Sequence, residues 1–285
     1  MNLANTVIVL DSSADTPKLY GVPTVSVPLK IITSEKEFTD GPKLNVGKMI
    51  SYLKNYSGKS STSCPNPSEF ENAFGDAEYV FCITITGSLS GSYNSALAAK
   101  KAYEEKYPDR HVHVINSLST GPELVLIAEK IEKDILAGEN FERTCENAAE
   151  YAKTTGLIFM LESLKNLANN GRVSPLTAKM ASVLGIRLVG KASNEGTLEP
   201  LNKCRGSKKA LASILENMKK EGFCGGRVKI AHCNNENAAN ALYAMLSDEF
   251  GVKAEIYACG GLCSFYAEEG GMLIGFEKIL QTIDI

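Results

Sequence analysis

Three serines recur at every second position in Thr86-Gly87-Ser88-Leu89-Ser90-Gly91-Ser92, between the apolar run Tyr79–Ile85 and a helical-looking stretch from Gly91 to Lys100. Hydroxyls gathered in this way suit an anion, since each can donate a charge-assisted hydrogen bond to a carboxylate or phosphate oxygen. The glycines permit close approach of the backbone, and a helix beginning here adds unpaired N–H groups and a partial positive charge. Ser88, Ser90, Gly91 and Ser92 are therefore candidate ligand-binding residues. There is no G-x-x-x-x-G-K-[ST], and no G-x-G-x-x-G follows an early strand, so nucleotide triphosphate hydrolysis lacks its usual apparatus.

A second hydroxyl cluster, Ser60-Ser61-Thr62-Ser63, precedes Cys64-Pro65. The following Asn66-Pro67-Ser68-Glu69 reads as a helix start, with proline early and an acid in the first turn. Capping accounts for Asn66 or Ser68 but not for the upstream hydroxyls, which leaves Thr62 and Ser63 free to face a ligand. Asp11-Ser12-Ser13-Ala14-Asp15 follows the first strand, where a turn and an N-cap explain it as well as a ligand does. In Asn169-Asn170-Gly171-Arg172-Val173, after a helix over Glu162–Leu167, Gly171 reads as a helix C-cap and Arg172 as an anion partner.

Catalytic and metal signals are thin. His111, His113 and His232 fall in no base motif, and there is no G-x-S-x-G or H-E-x-x-H, so no catalytic residue is assigned. The eight cysteines include no C-x-x-C, which fits neither a zinc ribbon nor a disulfide framework. They read as reduced thiols used as small buried hydrophobes, and neither metal ligands nor a cofactor are assigned.

Strands must carry these loops. Val7–Leu10, Thr24–Ile31, Tyr79–Ile85 and Val112–Ile115 alternate with amphipathic stretches at Val46–Leu53 and Ser95–Tyr103, the pattern of an α/β fold with a mainly parallel sheet flanked by helices. Helical patterns over Gly121–Ala137 and Phe141–Lys153 then give way to a strand at Leu157–Leu161. We place a domain boundary there: residues 1–155 form an N-terminal α/β domain carrying the hydroxyl loops, and 156–285 a C-terminal mixed α/β domain. In the latter, Ile186–Val189 and Thr197–Cys204 flank the turn Asn194-Glu195-Gly196 as an antiparallel hairpin. Helices follow over Ser207–Lys220 and Asn235–Phe250, with strands over Arg227–His232, Val252–Cys259 and Met272–Phe276. The crevice between such domains is where a ligand is expected.

Of the 285 residues 44% are hydrophobic and 22% charged, a globular composition. A formal charge of −3 with no Lys/Arg run leaves no basic face for nucleic acid. No run of 18 apolar residues occurs, and no charged segment precedes the apolar Thr6–Leu10, which points to a cytoplasmic protein without a transmembrane segment.

Taken in order, Asp11-Ser12-Ser13-Ala14-Asp15, Thr62-Ser63-Cys64-Pro65, Ile83–Tyr93 and Leu164–Val173 make the chain resemble the DegV family over essentially its whole length. That resemblance implies a two-domain α/β protein holding one long-chain fatty acid between its domains, a carrier rather than an enzyme, with a separate fatty-acid kinase as partner. It implies that Thr62 and Ser90 hydrogen-bond the carboxylate, that Gly91 and Ser92 supply backbone N–H groups, and that Arg172 is the basic residue of the Gly-Arg segment. Three departures stand out. Cys64 replaces the family's Gln, and Asn116-Ser117 replaces Asp-Ser. Ala267-Glu268-Glu269-Gly270-Gly271 stands where many members have His-x-Gly-Pro-Gly, leaving Tyr266 or a neighbouring Glu to supply the head-group contact.

Burying about 14 methylenes contributes on the order of 11 kcal/mol before binding entropy is subtracted, so the tail dominates affinity and the hydroxyls select for an acid. Phe159, Met160, Met180 and Leu184 are candidates for the tail channel. Two other readings fit the same residues: an enzyme acting on a small anionic substrate in the same crevice, and a pure interaction module with an exposed apolar patch.

Overall fold

Near-complete burial on both faces marks Thr6–Asp11 as a central strand, and such strands pair in parallel under helices. In the computed structural model, which describes residues 3–15, 19–174, 177 and 185–278, this strand is β1. With β2 (Thr24–Val27), β6 (Tyr79–Thr84) and β7 (His111–Asn116) it forms a parallel sheet in the order β2-β1-β6-β7. The strand expected over Thr24–Ile31 is in fact two. Pro28 has no N–H to give a ladder, so β2 ends at Val27 and β3 (Lys30–Ile32) starts in another sheet. There β3 lies between β4 (Glu37–Thr39) and β5 (Ser61–Ser63), antiparallel to both, with Thr62 opposite Ile31. Part of the second hydroxyl cluster is thus a strand and not a loop.

The third sheet is mixed. Its strands β8 (Thr155–Leu161), β9 (Ile186–Ala192), β10 (Leu198–Arg205), β11 (Val228–His232), β12 (Ala254–Ala258) and β13 (Met272–Glu277) run in the order β10-β9-β8-β13-β11-β12. Only the β11–β12 pairing is parallel. Side chains alternate across the sheet. Ile158 and Met160 join a core beneath the helices Ser207–Lys220 and Glu236–Phe250, while Leu157, Phe159 and Leu161 face the other way.

Helix α1 (Val46–Asn55) packs its Met49 with Ile31 of β3, while around the first sheet lie α2 (Pro67–Phe74), α3 (Ser92–Lys106), α4 (Pro122–Leu136) and α5 (Phe141–Lys153). The α2 start is the one read from sequence: Asn66 and Glu69 form a reciprocal capping box with Pro67 inside it. Helix α4 touches both large sheets, its Leu124, Ile127 and Ile131 entering the first core. Gly275 on β13 permits that contact, since a Cβ there would stand 2.8 Å from the Glu123 nitrogen. Two short helices complete the frame of the site. Helix α6 covers Lys165–Asn169 rather than Glu162–Leu167, because β8 runs on to Leu161 and Glu162 turns away to pair with Arg187. A helix at Gly261–Ala267 has no counterpart in the sequence reading; with α7 (Ser207–Lys220) and α8 (Glu236–Phe250) before it, we call it α9.

Candidate functional site

Between the first sheet and the Leu157-Phe159-Leu161 face of β8 lies a cavity of about 290 Å³. Its wall is mainly apolar, with Leu29, Ile85 and Leu89 from one side and Leu157, Phe159, Leu161, Leu167 and Leu273 from the other. Thr62, Ser63, Ser90 and Arg172 also line it, joined by Tyr266 from α9. Contacts bind this polar group together. Thr62 Oγ1 and Tyr266 Oη are 2.6 Å apart, Arg172 Nε donates to the Leu89 carbonyl (3.2 Å), and a Cβ on Gly91 would come 2.9 Å from Cys64 Sγ.

Each member is held by a local device. The Ile85 amide donates to Asp11 Oδ2 (2.9 Å) and the Thr86 amide to the Ser119 carbonyl (2.8 Å), which fixes the turn at the end of β6. Burial pushes the Asp11 carboxyl up, against the opposing hydrogen bonds from Ser13 and Ile85. Within the turn, Ser90 Oγ accepts the Ser92 amide (3.3 Å) and keeps its own hydrogen to donate elsewhere. Gly91 occupies the cap position of α3 and brings no capping side chain, and the first helix amide, that of Ser92, is the one Ser90 takes.

Arg172 is aimed by the way α6 ends. Gly171 adopts φ 71°, its N–H donates to the Ala168 carbonyl (3.0 Å), and the Arg172 N–H reaches back to Leu167 (2.8 Å). This is a Schellman ending, which turns the chain over its own last turn. The guanidinium then meets the carbonyls of Leu89 and Asn170, and no carboxylate among the described residues lies within ion-pair distance. Burial raises the Tyr266 phenol, while its bond to Thr62 and the Arg172 charge pull it back.

A family model described as "Uncharacterised protein, DegV family" matches residues 5–278. The chain belongs to the DegV family. A DegV domain-containing protein of Streptococcus pneumoniae strain R6 is 41% identical over 275 residues, covering 95% of this chain and 98% of the relative. Two solved structures are similar throughout. A DegV family protein from Eubacterium eligens loaded with heptadecanoic acid has 40% identity and a TM-score of 0.94, covering 96% of this chain and 99% of the other. The Streptococcus pneumoniae Fatty Acid Kinase (Fak) B3 protein loaded with linoleic acid has 41% identity, the same TM-score of 0.94 and the same 96% and 99% coverage. No described helix is long and apolar enough to cross a membrane.

In this DegV chain the structure brings Thr62, Ser63, Ser90, Gly91 and Arg172 to one cavity and leaves two candidates out. Ser88 donates its hydroxyl to the Glu195 carbonyl (2.5 Å), and Thr86 donates to Gly196 (2.9 Å), so these two hold the β9–β10 turn over the cavity. Ser92 faces the interior, fully buried, and its N–H is occupied by Ser90. Phe159 lines the cavity, Met160 points to the opposite face of β8, and Met180 and Leu184 lie outside the described residues.

The departures from the family pattern also find their places. Asn116 Oδ1 accepts the Gly87 and Leu118 amides (3.0 and 3.3 Å), so an amide oxygen stands here in the accepting place of a carboxylate. Ala267 lines the cavity without a polar group, and its neighbour Tyr266 reaches Thr62. The sequence reading missed α9 itself, because a helix of seven residues is too short for its period to show.

Proposed function

We propose that this protein is a cytoplasmic carrier that holds one long-chain fatty acid between an N-terminal domain (residues 1–155) and a C-terminal domain (156–285) and presents it to a separate fatty-acid kinase. The observation that carries the reading is the cavity's division of labour: a long leucine and phenylalanine wall, and one group of hydroxyls beside an arginine with no carboxylate partner among the described residues. A carboxylate at Thr62, Ser90, Arg172 and Tyr266 satisfies those donors, and an acyl chain satisfies the wall. The fatty acids in the Eubacterium eligens and Streptococcus pneumoniae relatives support the same ligand class.

An enzyme acting on a small anion needs a general base beside the hydroxyls. Among the described residues lining the cavity there is no His, Asp, Glu or Lys, which favours the carrier. The test is native mass spectrometry of the purified protein, followed by delipidation and thermal shift with heptadecanoic acid and with heptadecanol. A bound acyl chain, and a larger shift for the acid, are expected. The absence of both a bound chain and a shift with the acid would end the proposal.

A further inference from the structure

The acidic and hydroxyl residues of the first loop do not line the cavity, yet they lead to it. Asp40 is 4% exposed and takes two amides of α9 in its carboxylate: Gly261 on Oδ1 (2.7 Å) and Leu262 on Oδ2 (3.0 Å). Asp15 takes the preceding amide, Gly260, at 2.7 Å. Three successive N–H groups at the start of α9 are thus held by carboxylates from the other half of the molecule. Those carboxylates are themselves fixed. The Asp40 amide donates to the Leu29 carbonyl (2.9 Å), and the Leu29 amide to Ser12 Oγ (2.9 Å), which closes the link to the Asp11–Asp15 segment.

Sterics show how tight the seat is. A Cβ on Gly260 would stand 2.8 Å from Asp15 Oδ1, and one on Gly261 would stand 2.6 Å from Asp40 Oδ1 and 2.5 Å from Leu44. Both glycines are needed for the carboxylates to reach the backbone. A seven-residue helix has too few internal hydrogen bonds to hold itself, so its pose is set by what grips its ends. At the far end Asn166 Nδ2 donates to the Phe265 carbonyl (2.8 Å). Tyr266 sits at that end, about 6 to 9 Å along the axis from the clamped amides.

We propose that Asp40 is the positioning residue of the head-group site, clamping the first turn of α9 so that Tyr266 Oη meets Thr62 at the ligand carboxylate. This rests on the fatty-acid reading above. Asp15 supports the same turn through one further bond. In Asp40→Asn an amide NH₂ replaces one acceptor and opposes a helix N–H, which shifts the helix start and withdraws Tyr266.

The experiment measures the Kd of heptadecanoic acid for Asp40→Asn in three backgrounds: otherwise native, Thr62→Ala and Tyr266→Phe. In the native background Thr62 still donates, so the loss is about threefold or less; with Thr62 gone Tyr266 is the remaining donor of the pair, and the loss is about tenfold or more. With Tyr266→Phe there is no further loss. Heptadecanol, which lacks the carboxylate, shows no such pattern. Equal losses in all three backgrounds would overturn the clamp while leaving the carrier intact. If the unsubstituted protein binds no fatty acid, both fall. Should Asp40→Asn fail to fold, Gly261→Ala replaces it, because its methyl group pushes α9 off the same carboxylate. The same background pattern is expected, and equal losses would again overturn the proposal.

Discussion

Removing the Thr62 and Tyr266 hydroxyls one at a time and then together should give a markedly non-additive loss of fatty-acid affinity. Each hydroxyl carries one hydrogen, and at 2.6 Å one of the two hydrogens lies between the oxygens. One remains for a ligand carboxylate. In Thr62→Ala, Tyr266 turns its hydrogen to the ligand, and in Tyr266→Phe, Thr62 does so. Either single substitution therefore loses only the polarisation of a linked pair, about 0.5 kcal/mol or two- to threefold. The double variant loses a hydrogen bond to a charged group, about 1.5–3 kcal/mol, or roughly 10- to 150-fold. Displacement of a fluorescent fatty acid by heptadecanoic acid reads all four proteins, with heptadecanol as the control that should hardly respond. Single losses that simply sum to the double would refute the shared-hydrogen account.

Two further perturbations follow from the same structure. Ser88→Ala removes the bond to Glu195 while leaving the cavity lining intact, so stopped-flow release of bound ligand should quicken while Tm falls by no more than about 1 kcal/mol of stability allows. Gly196→Ala, at φ 74° and against Thr86 Oγ1, should quicken release further; slower or equal release in both would show that the hairpin turn over the cavity does not retain the ligand. Burial pushes the Asp15 carboxyl up to about 8, with Asp40 adding repulsion and the Gly260 amide opposing. The native state then keeps a proton that the unfolded chain releases near pH 4, so stability falls as pH rises from about 4 to 8, by up to about 1.4 kcal/mol per pH unit. Urea titrations across that window should show a shallower fall for Asp15→Asn; identical slopes would contradict the assignment.

Most strands were legible because burial on both faces writes a continuous apolar run, as in Tyr79–Thr84 and Thr155–Leu161. Ser61–Ser63 was not, since a hydroxyl triplet carries no alternation and becomes a strand only through Ile31 across the ladder. The serines of the turn show a related limit. Ser88 and Ser90 are chemically equal in the sequence, and what separates them is the Glu195 carbonyl, 107 residues away, which takes one and leaves the other facing the cavity.

Tyr266 sets the same limit at its sharpest. A seven-residue helix carries too little periodic signal to be read, and this one owes its place to carboxylates more than 200 positions earlier. Gly260-Gly261 reads locally as a loop, whereas its steric meaning is room for Asp15 and Asp40. The acidic first loop reads as a turn with a cap, and Asp11 does cap the local turn Ser12–Ala14 through the Ser13 amide; Asp15 in addition holds the start of a helix at the other end of the chain. Ala267 brings no polar group to the cavity, and the α9 side chain that reaches Thr62 is that of its neighbour Tyr266, on the helix whose first turn Asp40 holds.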